Sequence, residues 1–277
     1  MAKNLEPYSV LMCLYKGDKP EYFSAALDSV LNQTVTPDDV VIVIDGAIPD
    51  KLEQVIKSYK KSHKKLNIVR LAKNVGVGAA SNEGLKHCKH ELVAKMDADD
   101  ICAPDRFEKQ LREFKRRRDL VLLGGQLAEF ANDDPKNIVS YRRVPTTKET
   151  IKKFAKRRSP FNNVTVMYKK PVILAAGGYP KLNRAEDYYL YSKLMADGQI
   201  VDNLSDVLVY CRLDNDFIKR RKSWQHTKEM IGARNEIRKL GVSSWADLVV
   251  VSAAQIGLFL VPVGIAKKFY RKVRKWA

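Results

Sequence analysis

The sequence predicts an α/β fold in which a mostly parallel, Rossmann-like central sheet is flanked by helices. Up to residue 116, short apolar strand patterns alternate with helix patterns of about 10 to 15 residues, which is the order of repeated βαβ units. The run Val40–Ile44 contains only β-branched residues, and a strand that is apolar on both faces is typical of the interior of a parallel sheet. A chain of 277 residues that is 45% hydrophobic suits one full-sized domain with a small appendage.

Strands and helices are expected to alternate in the first half of the chain. The strands are short apolar runs at Ser9–Leu14, Val40–Ile44, Asn67–Leu71 and Leu92–Met96. The helices follow them at Glu21–Leu31, Asp50–Lys61, Gly76–His87 and Asp105–Arg116. Pro104 stands at the start of the last of these helices, where the missing N–H of proline is tolerated.

The second half is less regular. Strands are expected at Val121–Leu127 and Val164–Tyr168, and helices at Lys148–Lys156, Asp187–Met195 and Lys222–Leu240. The last of these helices is polar and has no strong apolar face.

The C-terminal segment differs from the rest in composition. Leu248–Ala266 is 19 residues long, has only Ser252 and Gln255 as strongly polar residues, and is interrupted by Pro262. A spanning helix needs about 20 apolar residues, and a single span from a cytosolic domain would place the basic tail outside, against the positive-inside rule. We therefore expect a re-entrant or interfacial segment whose tail, Lys267–Lys275, contacts anionic headgroups. The alternative is a buried core helix.

The net charge of +18 indicates an anionic partner, and an anionic membrane surface fits the basic tail. A nucleic-acid-binding protein is the alternative from another class. The chain lacks the aromatic interleaving and the recognised motifs of such proteins, and this alternative leaves the acidic strand ends described below unexplained. We therefore expect no nucleic acid as a partner.

The cysteines Cys13, Cys88, Cys102 and Cys211 are far apart and form no Cys-x-x-Cys pair, and no signal peptide opens the sequence. Both features favour a reducing compartment with free thiols. Together with the C-terminal segment, they predict a peripheral or monotopic protein at the cytoplasmic face of the inner (plasma) membrane.

Three acids follow the predicted strand at Leu92–Met96 directly, in Asp97-Ala98-Asp99-Asp100. Ligands of open α/β sheets bind beyond the carboxyl ends of the strands, and neighbouring carboxylates repel one another unless a cation is present. Mn²⁺ or Mg²⁺ uses one or two carboxylates together with substrate phosphates. The alternative is a helix cap ahead of Pro104, for which Asp100 alone would serve.

Other polar residues stand at strand or helix ends. Asp45 ends the strand Val40–Ile44, where a carboxylate can accept hydrogen bonds from a ribose hydroxyl or a base N–H. The glycine-containing turn Asn74–Gly78 enters a helix and could hold a phosphate or ribose, although it lacks the last glycine of the dinucleotide fingerprint. The pair Glu186-Asp187 precedes a helix, where acids also serve as ordinary caps.

In order and spacing, these elements resemble the family 2 glycosyltransferases, which are inverting enzymes with the GT-A fold. The resemblance covers about residues 8–215 and rests on an ordered set of segments: YSVLMCLYKG, DSVLNQT, VIDG, NVGVGAASNEGL, MDADDICAPDRFEKQ, NVTVMYKKPVILAAGGY and RAEDYYLYSKLMADG. The family often has an arginine where Ser81 stands, so an arginine on the phosphate side of the donor pocket is missing here.

The resemblance implies a role for each matching residue. Cys13, Tyr15 and Asp45 would line the nucleobase pocket, and Asn74 and Gly76 would help to hold the nucleotide. Asp97 would face the ribose or diphosphate, and the diphosphate contacts would come from Arg220, Arg221 and Trp224. Asp99 would bind the metal, Asp187 would be the catalytic base, and Glu186 would lie beside it.

The resulting prediction is an inverting, metal-dependent transfer of sugar from a nucleotide-diphosphate sugar, a UDP-sugar, to a hydroxyl of a lipid-linked saccharide acceptor in cell-surface polysaccharide synthesis. Residues 1–215 would form the GT-A domain, with a donor half at about 1–125 and an acceptor half at about 126–215. Residues 216–245 would be a basic helical segment, and residues 246–277 would associate with the membrane. A sugar nucleotidyltransferase is the alternative enzyme, but Tyr15-Lys16-Gly17-Asp18 matches its glycine-rich phosphate loop poorly.

Overall fold

The computed structural model describes residues 5–213, 222–262 and 264. Its strands are β1 (Tyr8–Leu14), β2 (Asp39–Asp45), β3 (Leu66–Leu71), β4 (Leu92–Asp97), β5 (Ile101–Cys102), β6 (Leu120–Phe130), β7 (Ile138–Arg142), β8 (Met167–Lys169) and β9 (Ile200–Arg212). Its helices are α1 (Pro20–Leu31), α2 (Asp50–Ser62), α3 (Val77–His87), α4 (Arg106–Arg116), α5 (Lys148–Ala155), α6 (Lys170–Ala175), α7 (Glu186–Ala196), α8 (Trp224–Lys239) and α9 (Trp245–Leu260).

All described strands belong to one mixed sheet of order β3-β2-β1-β4-β8-β6-β9-β5, with β7 beside β6. β1 to β4, β6 and β9 point the same way, whereas β5, β7 and β8 run opposite. The chain reverses its direction of winding at β1, which lies between β2 and β4. Ligands of such sheets bind at this switch point, beyond the carboxyl ends of the strands.

The α/β prediction is confirmed, and the first four strands and helices lie where the sequence places them to within a residue or two. β2 is buried along its whole length, as its β-branched run requires. One core cluster packs on each face of the sheet, around Met12, Ile42 and Phe107 on one side and around Leu11, Val43 and Leu190 on the other.

The strand predicted at Val164–Tyr168 is wrong in its first half. Asn163–Thr165 forms a short 3-10 helix, and β8 begins only at Met167. The hydroxyl of Thr165 donates to the backbone oxygen of Asn162 at 2.7 Å, and such local bonds compete with a strand ladder. The sequence-based prediction also missed β5, β7, β9 and α6, because these elements are very short or are interrupted by polar and charged residues.

The C-terminal segment forms a helix, but it is not a core helix. Only Asp247 and Leu248 of α9 are buried, whereas Trp245, Val249 and Leu260 are each more than 60% exposed. α9 packs against α8 and ends at Leu260. Among the described residues, no helix is both long and apolar enough to cross a membrane.

A buried arginine on α4 bonds to the sheet beneath the end of β4. Arg106 is completely buried, and its guanidinium donates to the backbone oxygens of Lys95 at 2.8 Å and Val166 at 3.4 Å. The ladder between β4 and β8 ends at Ala94 and Met167, so Arg106 supplies donors where strand pairing stops.

The next turn of α4 repeats this arrangement toward β6. Gln110 is also buried, and its amide donates to the backbone oxygens of Leu123 and Thr165, both at 2.9 Å. Its side-chain oxygen in turn accepts from Arg106 at 3.2 Å. The two side chains therefore connect both halves of the sheet through one helix.

Replacing the guanidinium in Arg106→Met should lower the free energy of unfolding by about 2 to 4 kcal/mol, because buried backbone oxygens lose their donors. Urea-induced unfolding measures this loss. Arg112→Met is the matched control on the solvent side of α4, where the Arg112 side chain is 60% exposed. It should change stability by less than about 0.5 kcal/mol. Equal losses in the two variants would contradict the role given to Arg106.

Candidate active site

The candidate site lies where β1 and β4 end side by side. Cys13 on β1 pairs in register with Asp97 on β4 and with Val43 on β2. Neighbouring strands are about 4.8 Å apart. Asp45 at the end of β2 is therefore about 10 Å from the strand that carries the acids.

Asp45 holds the turn between β3 and α3. Its carboxylate accepts from the backbone N–H groups of Val75 at 2.7 Å and Gly76 at 3.0 Å, and the amide of Asn74 donates to its backbone oxygen at 3.2 Å. Gly76 has a φ of +87°, a conformation that favours glycine. The structure thus brings Asp45, Asn74 and Gly76 together, and Asp45 is itself buried. Their contacts with a nucleotide stay a prediction.

The three acids after β4 occupy different environments. Asp97 is half-buried, Asp99 is exposed, and Asp100 is buried. The carboxylate of Asp100 accepts from the Cys211 thiol at 3.0 Å and from the Arg212 backbone N–H at 2.9 Å. Asp100 therefore anchors the acidic turn to β9, and it is not the cap of α4, which begins after Asp105.

Burial and mutual repulsion set the protonation of these acids. Burial raises the pKa of Asp97, while Lys95 and Arg106 oppose the rise. Burial, followed by the charges of Asp99 and Asp97, holds the pKa of Asp100 well above its usual range. An added positive charge at this end of β4 would relieve the repulsion.

The acidic turn fits a divalent cation that takes part of its coordination from a substrate. Within the described ranges, no three His, Cys, Asp or Glu side chains are arranged to hold a metal by themselves. Mg²⁺ and similar hard cations are commonly held by one or two carboxylates plus substrate phosphates and water. Asp97 and Asp99 both line an open cavity at the end of β4.

Glu186 and Asp187 open α7 opposite the acidic turn. Burial raises the pKa of both carboxyl groups. For Asp187, a hydrogen bond from the Tyr188 backbone N–H and the charge of Arg142 oppose this rise, whereas Asp97 adds to it. The start of a helix also favours a carboxylate. Asp187 is therefore a half-buried carboxylate whose pKa is raised by burial, while the backbone hydrogen bond and Arg142 limit the rise.

Two cavities meet at Asp187. The smaller, of about 370 Å³, contains Asp97, Asp99 and Arg142 in its wall. The larger, of about 890 Å³, extends from Glu186 and Asp187 to α8 and α9. Asp97 and Asp187 line both cavities, so the predicted base stands between two spaces, each large enough for part of a substrate.

Tyr15 belongs to a third cavity, of about 470 Å³, which it shares with Asp99 and Arg212. The backbone N–H of Tyr15 donates to Asp18 at 2.8 Å. Burial, partly opposed by this bond, raises the pKa of Asp18 to about 7, and the charges of Asp99 and Asp97 add to the rise. The aromatic ring of Tyr15 is thus close to the acidic turn.

The remaining predicted contacts are Arg220, Arg221 and Trp224. Arg220 and Arg221 lie outside the described residues. Trp224 begins α8 and packs against Phe259 of α9, with ring centroids 5.6 Å apart, and it lines none of the three cavities.

The sequence reading missed Lys95, a lysine inside the buried strand β4. It is 1% exposed, and its ammonium donates to the Ser81 hydroxyl at 3.0 Å. Lys95 thus supplies a cation beside the position where the family often has an arginine. A charged residue within the apolar run ELVAKM was the available signal.

Arg142 was also missed, since it belongs to a strand that the sequence did not predict. Burial raises the pKa of both Asp187 and Cys211, and the charge of Arg142 opposes the rise in each. Within the part of the chain that the structure describes, no carboxylate lies within ion-pair distance of Arg142. Arg142 is therefore a cation close enough to act on the predicted base.

Comparison with known proteins identifies the family of this chain. The family model described as Glycosyl transferase family 2 matches residues 9–174. The chain belongs to this family. The match favours glycosyl transfer over the nucleotidyltransferase and nucleic-acid alternatives.

Two relatives match this family 2 chain almost end to end. The amylovoran biosynthesis glycosyltransferase AmsE of Erwinia amylovora is 34% identical over 268 residues, covering 97% of this chain and 99% of the relative. An Escherichia coli protein named UDP-Gal:alpha-D-GlcNAc-diphosphoundecaprenol beta-1,3-galactosyltransferase is 36% identical over 276 residues, covering 99% and 98%.

The fold is shared with a solved glycosyltransferase structure. The mannosyltransferase PcManGT of Pyrobaculum calidifontis, solved with GDP-Man and Mn²⁺, superposes with a TM-score of 0.62 at 17% identity, over 98% of this chain and 80% of that one. At this identity the likeness concerns the fold, and it confirms the GT-A prediction.

The surroundings of Asp187 predict a pH dependence. A base must be ionised to accept a proton, so kcat/KM should fall as the pH drops through the pKa of Asp187 in the free enzyme. Because Arg142 opposes the upward shift, Arg142→Gln should raise that pKa and move the acid limb to higher pH. The pH profile of sugar transfer measures the shift.

Arg143→Gln is the control for this shift, since the neighbouring guanidinium packs on the ring of Tyr141 at 5.5 Å and is not among the charges that act on Asp187. It should leave the acid limb in place. An unchanged limb in Arg142→Gln would remove Arg142 from the electrostatics of the base.

Proposed function

We propose that this glycosyltransferase transfers a sugar from a UDP-sugar to a hydroxyl of a lipid-linked saccharide, with inversion, during cell-surface polysaccharide synthesis. The observation that carries the proposal is the position of Asp187 at the junction of two cavities, across from the acidic end of β4. Both relatives are named for saccharide biosynthesis or transfer, and one of them is named for a UDP-sugar donor and a diphosphoundecaprenol acceptor.

The donor is proposed to lie across the carboxyl ends of β2, β1 and β4. Asp45, Asn74 and Gly76 would hold the nucleoside at one end, with Cys13 and Tyr15 along the base. Asp97 would face the ribose or diphosphate. Lys95 would contribute a positive charge beneath the phosphates and so replace the arginine that the family often has at the position of Ser81.

Asp99, with Asp97 beside it, would hold a divalent cation, Mn²⁺ or Mg²⁺. When bound, such a cation neutralises the charge that develops on a departing nucleoside diphosphate. The likeness in fold to a protein solved with Mn²⁺ and the repulsion among the acids support this assignment.

The proposed reaction is a single in-line displacement. Asp187 accepts the proton of the acceptor hydroxyl as its oxygen bonds to the anomeric carbon, and the bond from that carbon to the nucleoside diphosphate breaks. Arg142 keeps Asp187 ionised before the transfer. Since the oxygen attacks opposite the leaving group in one step, the configuration at the anomeric carbon inverts.

The chain is proposed to work at an anionic membrane surface, at the cytoplasmic face. α9 exposes Val249, Val250 and Leu260, which suits the boundary between headgroups and acyl chains. The basic tail Lys267–Lys275, which lies outside the described residues, would add attraction of about 1 kcal/mol per charge at an anionic surface.

Asp187→Asn should reduce transfer by about 100-fold or more, because the amide cannot accept the proton. Affinity for UDP in the presence of Mn²⁺ should hardly change, because the loss falls on the transition state. Glu186→Gln should be milder. Steady-state kinetics and calorimetry give the two quantities.

Asp99→Asn serves as a control for the metal site. In contrast to Asp187→Asn, it should abolish Mn²⁺-dependent UDP binding while the fold is retained. If Asp187→Asn turned over normally and Glu186→Gln were inactive, the wrong carboxylate would have been assigned as the base. Full activity in both variants would show that Glu186 and Asp187 serve only as a helix cap.

Replacing the exposed apolar residues of α9 in Val249→Ser, Val250→Ser and Leu260→Ser together should weaken binding to phosphatidylglycerol vesicles by about tenfold or more, because apolar area leaves the bilayer. Vesicle co-sedimentation measures the binding, and added salt should weaken what remains.

The matched control carries Val139→Ser and Leu174→Ser, which remove apolar side chains that are 46% and 44% exposed elsewhere on the fold. It should bind vesicles as the unchanged protein does. Equal binding by the α9 variant and this control would refute membrane docking through α9.

A further inference from the structure

The larger cavity has a catalytic end and a C-terminal end. At the first end lie Glu186 and Asp187, and at the second lie Gln255 and Leu258 of α9. Arg234 of α8 is among the residues between them. The cavity therefore leads from the proposed base to the helix whose apolar residues are exposed.

Arg234 is a half-buried cation with no carboxylate partner in the described parts of the chain. Its guanidinium lies 4.9 Å from the centre of the Tyr188 ring and donates to the backbone oxygen of Arg157. Burial lowers its pKa, although Tyr188 opposes the change. A partly buried guanidinium without a nearby counter-charge is unfavourable, so this position favours an anionic ligand.

Neighbouring arginines are neutralised or packed differently. Arg184 pairs with Glu229 at 3.4 Å, and Arg157 pairs with Asp247 at 2.7 Å. Arg238, one turn after Arg234 on α8, stacks on the ring of Trp245 at 3.8 Å. Arg234 thus lines the cavity and has no carboxylate partner among the described residues.

The anion that fits this position is a different one from the donor diphosphate. Asp99, the proposed metal ligand, lines the two smaller cavities, whereas Arg234 lines the larger one. Asp187 stands between them, as a base must when it takes a proton from an acceptor that attacks a donor. The larger cavity is therefore the acceptor side.

We propose that the larger cavity binds the diphosphate of a lipid-diphosphate-linked acceptor and that Arg234 holds this diphosphate. This inference rests on the proposed function. A guanidinium can donate two parallel hydrogen bonds to phosphate oxygens. The acceptor saccharide then reaches toward Asp187, and the lipid leaves past Leu258 along α9. Arg234 is thereby the residue that distinguishes a diphosphate-linked acceptor from a neutral one.

Binding of short prenyl probes tests this assignment without any turnover. The unchanged protein should bind farnesyl diphosphate at least tenfold more tightly than farnesol in calorimetry. Arg234→Met keeps an apolar side chain on Tyr188 but removes the charge, and it should weaken farnesyl diphosphate binding by about 10- to 100-fold. Farnesol binding and Mn²⁺-dependent UDP binding should stay within about twofold.

Arg238→Met is the matched control on the same helix, and it should retain the preference for the diphosphate. Arg234→Lys should recover part of it, and an unchanged melting temperature in Arg234→Met shows that the fold is intact. Retention of the full preference in Arg234→Met would overturn the proposal. So would an equal loss of UDP affinity, because Arg234 would then contact the donor.

Transfer assays separate this inference from the proposed function. If the unchanged protein transfers sugar equally well to a diphosphate-linked saccharide and to the same saccharide on a neutral aglycone, the acceptor subsite is wrong although glycosyl transfer stands. If it binds farnesyl diphosphate through Arg234 yet transfers no sugar, the subsite stands and the proposed reaction is wrong.

Discussion

The site depends on the hydrogen-bond donors that the side chains of Arg106 and Gln110 on α4 place beneath the end of β4. β4 must stop pairing with β8 for its acidic end to open into a cavity, and this leaves backbone oxygens in the core. Arg106 bonds to the backbone oxygens of Lys95 and Val166 at this point. The next turn of α4 places Gln110 against the backbone oxygens of Leu123 and Thr165. The same guanidinium lowers the pKa of Asp97. One buried side chain therefore completes the sheet and helps to keep the neighbouring carboxylate ionised.

The site balances partly buried acids against neighbouring cations. Lys95 and Arg106 act on Asp97, and Arg142 acts on Asp187. Without them, burial would favour the protonated forms, which could neither bind a hard cation nor accept a proton. The balance is incomplete at the end of β4, where Asp99 and Asp97 still raise the pKa of Asp100. The proposed donor complex supplies positive charge at the point where this repulsion is concentrated.

In the proposed arrangement, the two C-terminal helices form the acceptor side of the site. α8 contributes to the wall of the larger cavity, and α9 closes one end of it while leaving apolar side chains exposed. A membrane-facing helix that also lines the cavity would let a lipid-linked substrate reach Asp187 while its lipid stays at the surface. This arrangement accounts for an apolar helix that packs on α8 and yet buries little of its own length.

The sequence by itself determined the order of strands and helices up to residue 116, the acids at the strand ends and the family. These features are encoded locally, by apolar periodicity and by residues that follow a strand directly. Contacts between distant segments were decided only by the tertiary structure. Asp100 bonds to Cys211, which lies 111 residues later. Lys95 of β4 donates to the Ser81 hydroxyl of α3. The roles of Lys95, Arg142 and Arg234 depend on strand register and helix packing, which bring together side chains that no local pattern relates.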